Sequence, residues 1–249
     1  MDIFNILIFC WILLSIIIFF ILMKIPAPYG RHVKTGWGPI LQNRTGWIIM
    51  ESPSFLIPLI FLVMFQRRIS SRVIMLFFIL WVFHYFYRSL IYPFLIHDKK
   101  DMPLSIVLSG FFFNLINSSL NFYWLVFRGS YDSSYLSDAR FIAGILLFAT
   151  GFFIHVKSDN ILRRLRNSRD SSYSIPSGFL FKYVSAPNYF GEILEWTGWA
   201  IATWSLAGLS FALWTCANLI PRALTHHSWY LRTFENYPRY RKAVIPYII

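Results

Sequence analysis

The sequence predicts an all-α, polytopic integral membrane protein of about seven transmembrane helices, with its N-terminus outside or lumenal and its C-terminus cytoplasmic. Three observations predict it. Of 249 residues 57% are hydrophobic and only 14% charged, against about 25% charged in an ordinary soluble domain, and the mean hydropathy is +0.53. Apolar runs recur at about 4–23, 54–65, 73–96, 103–127, 140–156, 189–207 and 209–220. With seven spans, 17 of the 23 Lys and Arg residues fall on one side and five on the other, with Arg88 alone inside a span. The positive-inside rule makes the crowded side cytoplasmic.

The first run has the length of a span, about 20 residues. It exceeds a signal-peptide h-region, Asp2 precedes it, and the cations Lys24, Arg31 and Lys34 follow it. It therefore predicts a first helix that stays in place. The second and last runs are short, and Pro53, Pro58, Pro187 and Pro221 mark breaks or helix starts. Ser52 can cap, and Pro53 start, the second helix. That places Glu51 just before a helix N-terminus, where the dipole favours a carboxylate and burial favours the neutral acid.

The third run contains HYFYR (84–88), and on a helix Tyr85, Arg88 and Tyr92 share a face. An arginine at the bilayer centre costs at least ~2.5 kcal/mol, so Arg88 faces the interior. It either pairs with a carboxylate to hold helices together or lines a polar cavity. In the fourth run Asn114, Asn117 and Asn121 form a stripe suited to interhelical hydrogen bonds, with a cavity wall as the second reading.

KSDNILRRLR (157–166) aligns Asp159, Arg163 and Arg166. Two guanidiniums on one face can hold a phosphate, and a neighbouring carboxylate can accept from a ribose hydroxyl. A solvated amphipathic loop helix is the plainer reading. APNYFGEILEW (186–196) places Asn188, Glu192 and Glu195 at the mouth of a span, and PRALTHHSWY (221–230) sets Arg222, His226 and Tyr230 in one stripe.

Several function classes are disfavoured. The net charge of +12 is spread over short loops, not gathered into one stripe for nucleic acid. His226 and His227 are adjacent and no HExxH occurs, so no metal site is expected. Cys10 and Cys216 lie in apolar runs and suggest neither a disulfide framework nor a thiolate site. No GxGxxG or Walker loop occurs; GWG at 36–38 lacks a third glycine. The residues point to a membrane enzyme with a polar interior and an anionic cofactor on the cytoplasmic side. They leave the reaction open.

The motifs PYGRH (28–32), MESPSF (50–55), HYFYR (84–88), SDNILRRLR (158–166), the long block at 183–212 and FENYPRYRKAVIPYII (234–249) resemble the steroid 5-alpha-reductase family over nearly the whole chain. The resemblance implies one membrane-embedded reductase domain, 1–249, with its catalytic part at about 100–249. It implies NADPH-dependent reduction of the Δ4 double bond of a 3-oxo-Δ4-steroid, hydride going to C5 and a proton to C4. Glu51 and Tyr85 match the catalytic pair that binds the 3-oxo group from the face opposite the nicotinamide. Trp47 matches a substrate-pocket position. Asp159, Arg163, Arg166, Asn188, Glu192, Arg222, His226 and Tyr230 match the cofactor positions.

The chain departs from the pattern at Met50, where the family commonly has Gln, at Ser174, where the animal enzymes have Arg, and at His155, where they have Asn. The expected partners are a steroid or other lipophilic enone and membrane lipid, not nucleic acid, around a monomer. The host membrane is endoplasmic reticulum in a eukaryote or inner membrane in a bacterium. Alternatives are a reductase of a polyprenol or enoyl-CoA lipid, an S-adenosylmethionine-dependent methyltransferase on a related fold, and a structural or lipid-binding protein.

Overall fold

In hydrocarbon a backbone polar group must find its partner within the protein, so apolar runs of span length fold as helices. The computed structural model describes residues 2–28, 30–32, 36–96, 101–166 and 173–249. Of the cations sorted above, Lys34, Lys99, Lys100 and Arg169 lie outside the described residues, as does the side chain of Arg31. Seven long helices appear among the described residues: α1 (Ile3–Lys24), α2 (Asn43–Met64), α3 (Arg72–Phe86), α5 (Leu104–Phe127), α6 (Ala139–Arg166), α7 (Pro187–Thr203) and α8 (Leu206–Thr233). A π turn, Tyr87–Ile91, and the short α4 (Tyr92–Leu95) prolong α3. Two-residue strands β1 (Ile40–Leu41) and β2 (Met102–Pro103) pair antiparallel.

Among the described residues, five segments are long and apolar enough to cross a membrane: α1, α2, α3 through α4, α5 and α6. The other two expected spans, α7 and α8, are helices but do not belong to that set. α7 has only 17 residues, and both carry the polar side chains described below.

Three boundaries differ from the sequence expectation. α2 begins at Asn43, with Pro53 and Pro58 inside it. Neither proline can donate to the carbonyl four residues back, and each carbonyl so released has another donor. The Ser52 hydroxyl donates to Ile49 O at 2.9 Å, and the Trp81 indole donates to Ser54 O at 2.9 Å. Ser52 therefore does not cap a helix, and Glu51 lies inside α2 rather than before an N-terminus. α8 likewise runs through Pro221 to Thr233, packed on α1 and α7. KSDNILRRLR, read as a loop helix, forms the last turns of α6.

The chain divides into two compact units, Ala27–Ile142 and Met1–Pro26 with Ala143–Ile249. In the first, α2 packs on α5 and α3. In the second, α8 packs on α1 and α7, and the Trp214 indole donates to Trp11 O at 3.0 Å. Only Ile8 and Ser15 of α1 are buried, as befits a helix apolar all round. A two-residue link, Trp204–Ser205, turns α7 into α8. Trp204 takes the left-handed conformation (φ 45°) and Ser205 caps α8 through the Gly208 amide. The C-terminal tail lies along the segment before α7, with Ser185 N donating to Lys242 O and Ala186 N to Ala243 O.

Candidate active site

In the Ala27–Ile142 unit, a polar network runs between α2, α5 and the α3 extension. Glu51, 8% exposed, is buried in α2. Its Oε1 lies 3.6 Å from Arg88 Nε, and its Oε2 accepts from Asn114 Nδ2 at 3.2 Å. The same amide donates to Met50 O at 2.8 Å, and its oxygen accepts from the Ser54 hydroxyl at 2.9 Å. Ser54 also pairs with Ser118 at 2.8 Å. The Arg88 guanidinium is 4.6 Å from the Trp47 ring centroid and 4.8 Å from that of Tyr92. Tyr85 is buried with its ring 5.2 Å from Trp81.

The Asn stripe is thus interhelical at Asn114. Asn121 bonds within α5, to Asn117 O. The Met50 side chain, where the family commonly has Gln, lies over Gly110 of α5.

The second unit gathers the other candidates on α6, α7 and α8. Asn188 Nδ2 donates to Asp159 Oδ1 at 3.0 Å. His155 is buried among carboxylates, its Nε2 3.3 Å from Asp159 and 4.0 Å from Glu192, its Nδ1 3.7 Å from Glu195. Arg222 Nε donates to the Tyr189 hydroxyl at 2.7 Å, and that hydroxyl pairs with His226 Nε2 at 3.1 Å. His226 and His227 diverge, His227 Nδ1 pairing with Ser185 at 2.6 Å. Tyr230 stacks on Tyr237 at 5.1 Å. Burial holds the Tyr237 phenol above its ordinary range, so it stays protonated beside Ser185, 2.7 Å away. Arg163 and Arg166 occupy the last turn of α6.

Near that end of α6, Arg163 Nε, Ser158 Oγ and Asn160 Oδ1 are buried with no hydrogen-bond partner among the described residues. Buried polar groups are ordinarily paired. A guanidinium, a hydroxyl and an amide left open suit a ligand with phosphates and hydroxyls.

The family description 3-oxo-5-alpha-steroid 4-dehydrogenase matches residues 100–249. The chain is 41% identical over 237 residues to the steroid 5-alpha-reductase of Arabidopsis thaliana, covering 92% of this chain and 90% of that one. The chain belongs to the steroid 5-alpha-reductase family. It is also 41% identical over 221 residues to human 3-oxo-5-alpha-steroid 4-dehydrogenase 1, covering 88% of this chain and 85% of that protein. To the human type 2 protein it is 39% identical over 225 residues, covering 90% and 88%. As a steroid 5-alpha-reductase family member it is an oxidoreductase.

Within this steroid 5-alpha-reductase homologue, some neighbours of the candidate residues escaped the sequence reading. Tyr189 accepts from Arg222 and pairs with His226, and the only signal was its place beside Asn188 in the APNYFGEILEW motif. Ser54 and Ser89 join the network around Glu51 without any charge or spacing to mark them.

Proposed function

We propose that this protein is an NADPH-dependent 3-oxo-Δ4-steroid 5-alpha-reductase. The reading is carried by a carboxylate, Glu51, buried in an apolar helix and ringed by donors, in a chain of this family. Asp159, Arg163, Arg166, Asn188, Glu192, Arg222, His226 and Tyr230 would hold NADPH, which supplies the hydride when bound. Arg163 and Arg166 take phosphate charge, and Asp159 and Glu192 accept from hydroxyl or amide donors. Trp47 lines the steroid pocket. Glu51 and Tyr85 hold the 3-oxo group.

Hydride addition at C5 moves the double-bond electrons onto that oxygen. A hydrogen bond aimed at the developing enolate then lowers the barrier, and the proton arriving at C4 completes the reduction. The two units act as one membrane-embedded reductase domain, with the N-terminus outside, the C-terminus cytoplasmic and the chain monomeric.

Purified protein should oxidise NADPH in the presence of testosterone or progesterone. Glu51→Gln and Tyr85→Phe should each lose about 10²-fold in kcat, the low end of acid–base assistance, while a thermal-shift titration still detects NADPH binding. Full activity in both variants overturns the roles given to this pair. Stabilisation by S-adenosylmethionine alone would overturn the reductase reading itself.

A further inference from the structure

Beyond α3 the chain makes one turn of π-helix, Tyr87–Ile91, closed by the Tyr92 amide donating to Tyr87 O. A π turn inserts one residue into a helix and re-aims what it carries, and such turns are frequent at functional sites. This one falls where Pro93, with no N–H, has already removed the ordinary bond back to Ser89. Two of its residues reach the same partner on α2. Arg88 Nε lies 3.6 Å from the Glu51 carboxylate, and the Ser89 hydroxyl donates to the Glu51 carbonyl at 3.0 Å.

The guanidinium is walled by aromatic faces, with Trp47 at 4.6 Å and Tyr92 at 4.8 Å. Those two rings meet edge to face, 5.5 Å apart. A cation between π faces is fixed in place, so its position against Glu51 is set by the scaffold. Asn114 supplies a donor to the other carboxylate oxygen.

We infer that Arg88 is a positioning residue of this site. It pairs the Glu51 carboxylate, so that Tyr85 donates to the substrate's 3-oxo oxygen while Glu51 reaches that oxygen through the phenol or a water whose hydrogen it accepts. The inference rests on the reading of Glu51 and Tyr85 given above, and it separates their duties. A carboxylate beside an oxygen that gains negative charge would oppose the reaction, because like charges repel strongly where water is excluded. Arg88 removes that opposition by pairing the charge. Glu51 in turn can orient a phenol or a water by accepting from it.

The test is a double-mutant cycle on the purified full-length protein, with steady-state kinetics in testosterone and NADPH and a thermal-shift titration of NADPH. Arg88→Met should lose about 10²-fold in kcat, a loss of the size expected for displaced acid–base machinery, with the KM for NADPH unchanged. Arg88→Lys should recover part of it, restoring charge without the planar stack. The double variant Arg88→Met/Glu51→Gln should be no slower than Glu51→Gln alone, because Arg88 acts through Glu51.

Wild-type kcat in Arg88→Met overturns the inference, and so do losses that multiply in the double variant. Should Arg88→Met fail to accumulate, Arg88→Lys with and without Glu51→Gln completes the same cycle. Full activity of Glu51→Gln by itself overturns the underlying reading, an outcome distinct from any Arg88 result.

Discussion

The α2/α5 pair and the α6/α7 pair are both helix–helix contacts in the same chain, yet they are held by opposite means. Between α2 and α5 the contact is made by side chains: Asn114 reaches Glu51 and Met50, and Ser54 reaches Asn114 and Ser118. Between α6 and α7 the backbones themselves touch. A Cβ at Gly151 would fall on the Glu195 amide, at Gly191 on the His155 amide, at Gly144 on the Ala202 amide and at Gly198 on the Phe148 amide. Small residues that let helices approach this closely are a device of membrane packing, where lipid removes the usual hydrophobic drive.

The difference has a functional sense. Close backbones on α6/α7 bring short side chains such as Asp159 and Asn188 within bonding distance of each other, whereas the α2/α5 contact is bridged by a side-chain network with a charge in it.

The largest effect should come from breaking the backbone contact. Gly191→Ala adds one methyl group that meets backbone on the facing helix, and neither backbone can rotate away. Overpacking usually costs 1–3 kcal/mol and sometimes more. Here about 3 kcal/mol or more is expected, despite the ~1 kcal/mol that alanine contributes as a better helix former than glycine. A large fall in melting temperature, or failure to accumulate folded protein, checks it. A melting temperature equal to wild type would show that α6 and α7 are not held at backbone distance.

Second comes the polar contact. Asn114→Leu removes the donor to Glu51 Oε2 and Met50 O and the acceptor for Ser54. An unsatisfied buried group costs about 1–3 kcal/mol, so the melting temperature should fall less than for Gly191→Ala. Because Glu51 loses the donor to its Oε2, kcat should fall as well, with NADPH binding retained. A variant that lost stability but kept full kcat would separate the network from catalysis.

These contrasts show which parts of the molecule were readable from sequence. The seven helices were readable because each is an apolar run, and the stripe of Arg222 and His226 because helical spacing alone aligns them. The start of α2 was not readable. A local rule about Pro53 and Pro58 is overridden by the Ser52 hydroxyl and by the Trp81 indole, which comes from 27 positions beyond the Ser54 carbonyl it meets, and no short window of sequence contains that indole's approach. The π turn was hidden for a similar reason, since Pro93 permits it without requiring it.

Glu51 was conspicuous as a charge in an apolar stretch. It lies inside α2 and not at a helix N-terminus, so the dipole argument about its charge gives way to Arg88 and Asn114. The glycines at 144, 151, 191 and 198 did carry a signal, a spacing of seven on each helix, that marks a packed face.

The smallest effect tests the comparison most closely. Gly110 on α5 looks like Gly191, since a Cβ there would also collide at short range, but the atoms it meets are Cγ and Sδ of Met50. Methionine has three rotatable bonds and fills irregular gaps, so the end of its side chain can move aside while its backbone stays. The Met50 carbonyl remains held by Asn114, and the Glu51 carboxylate need not shift. The methyl group's crowding is then offset by the ~1 kcal/mol gain in helix propensity. Gly110→Ala should leave the melting temperature within about 1 kcal/mol of wild type and the turnover of testosterone unchanged. If its loss instead matched that of Gly191→Ala, the α2/α5 contact would be limited by backbone as well. The side-chain network around Glu51 would then be a consequence of close packing and not its alternative.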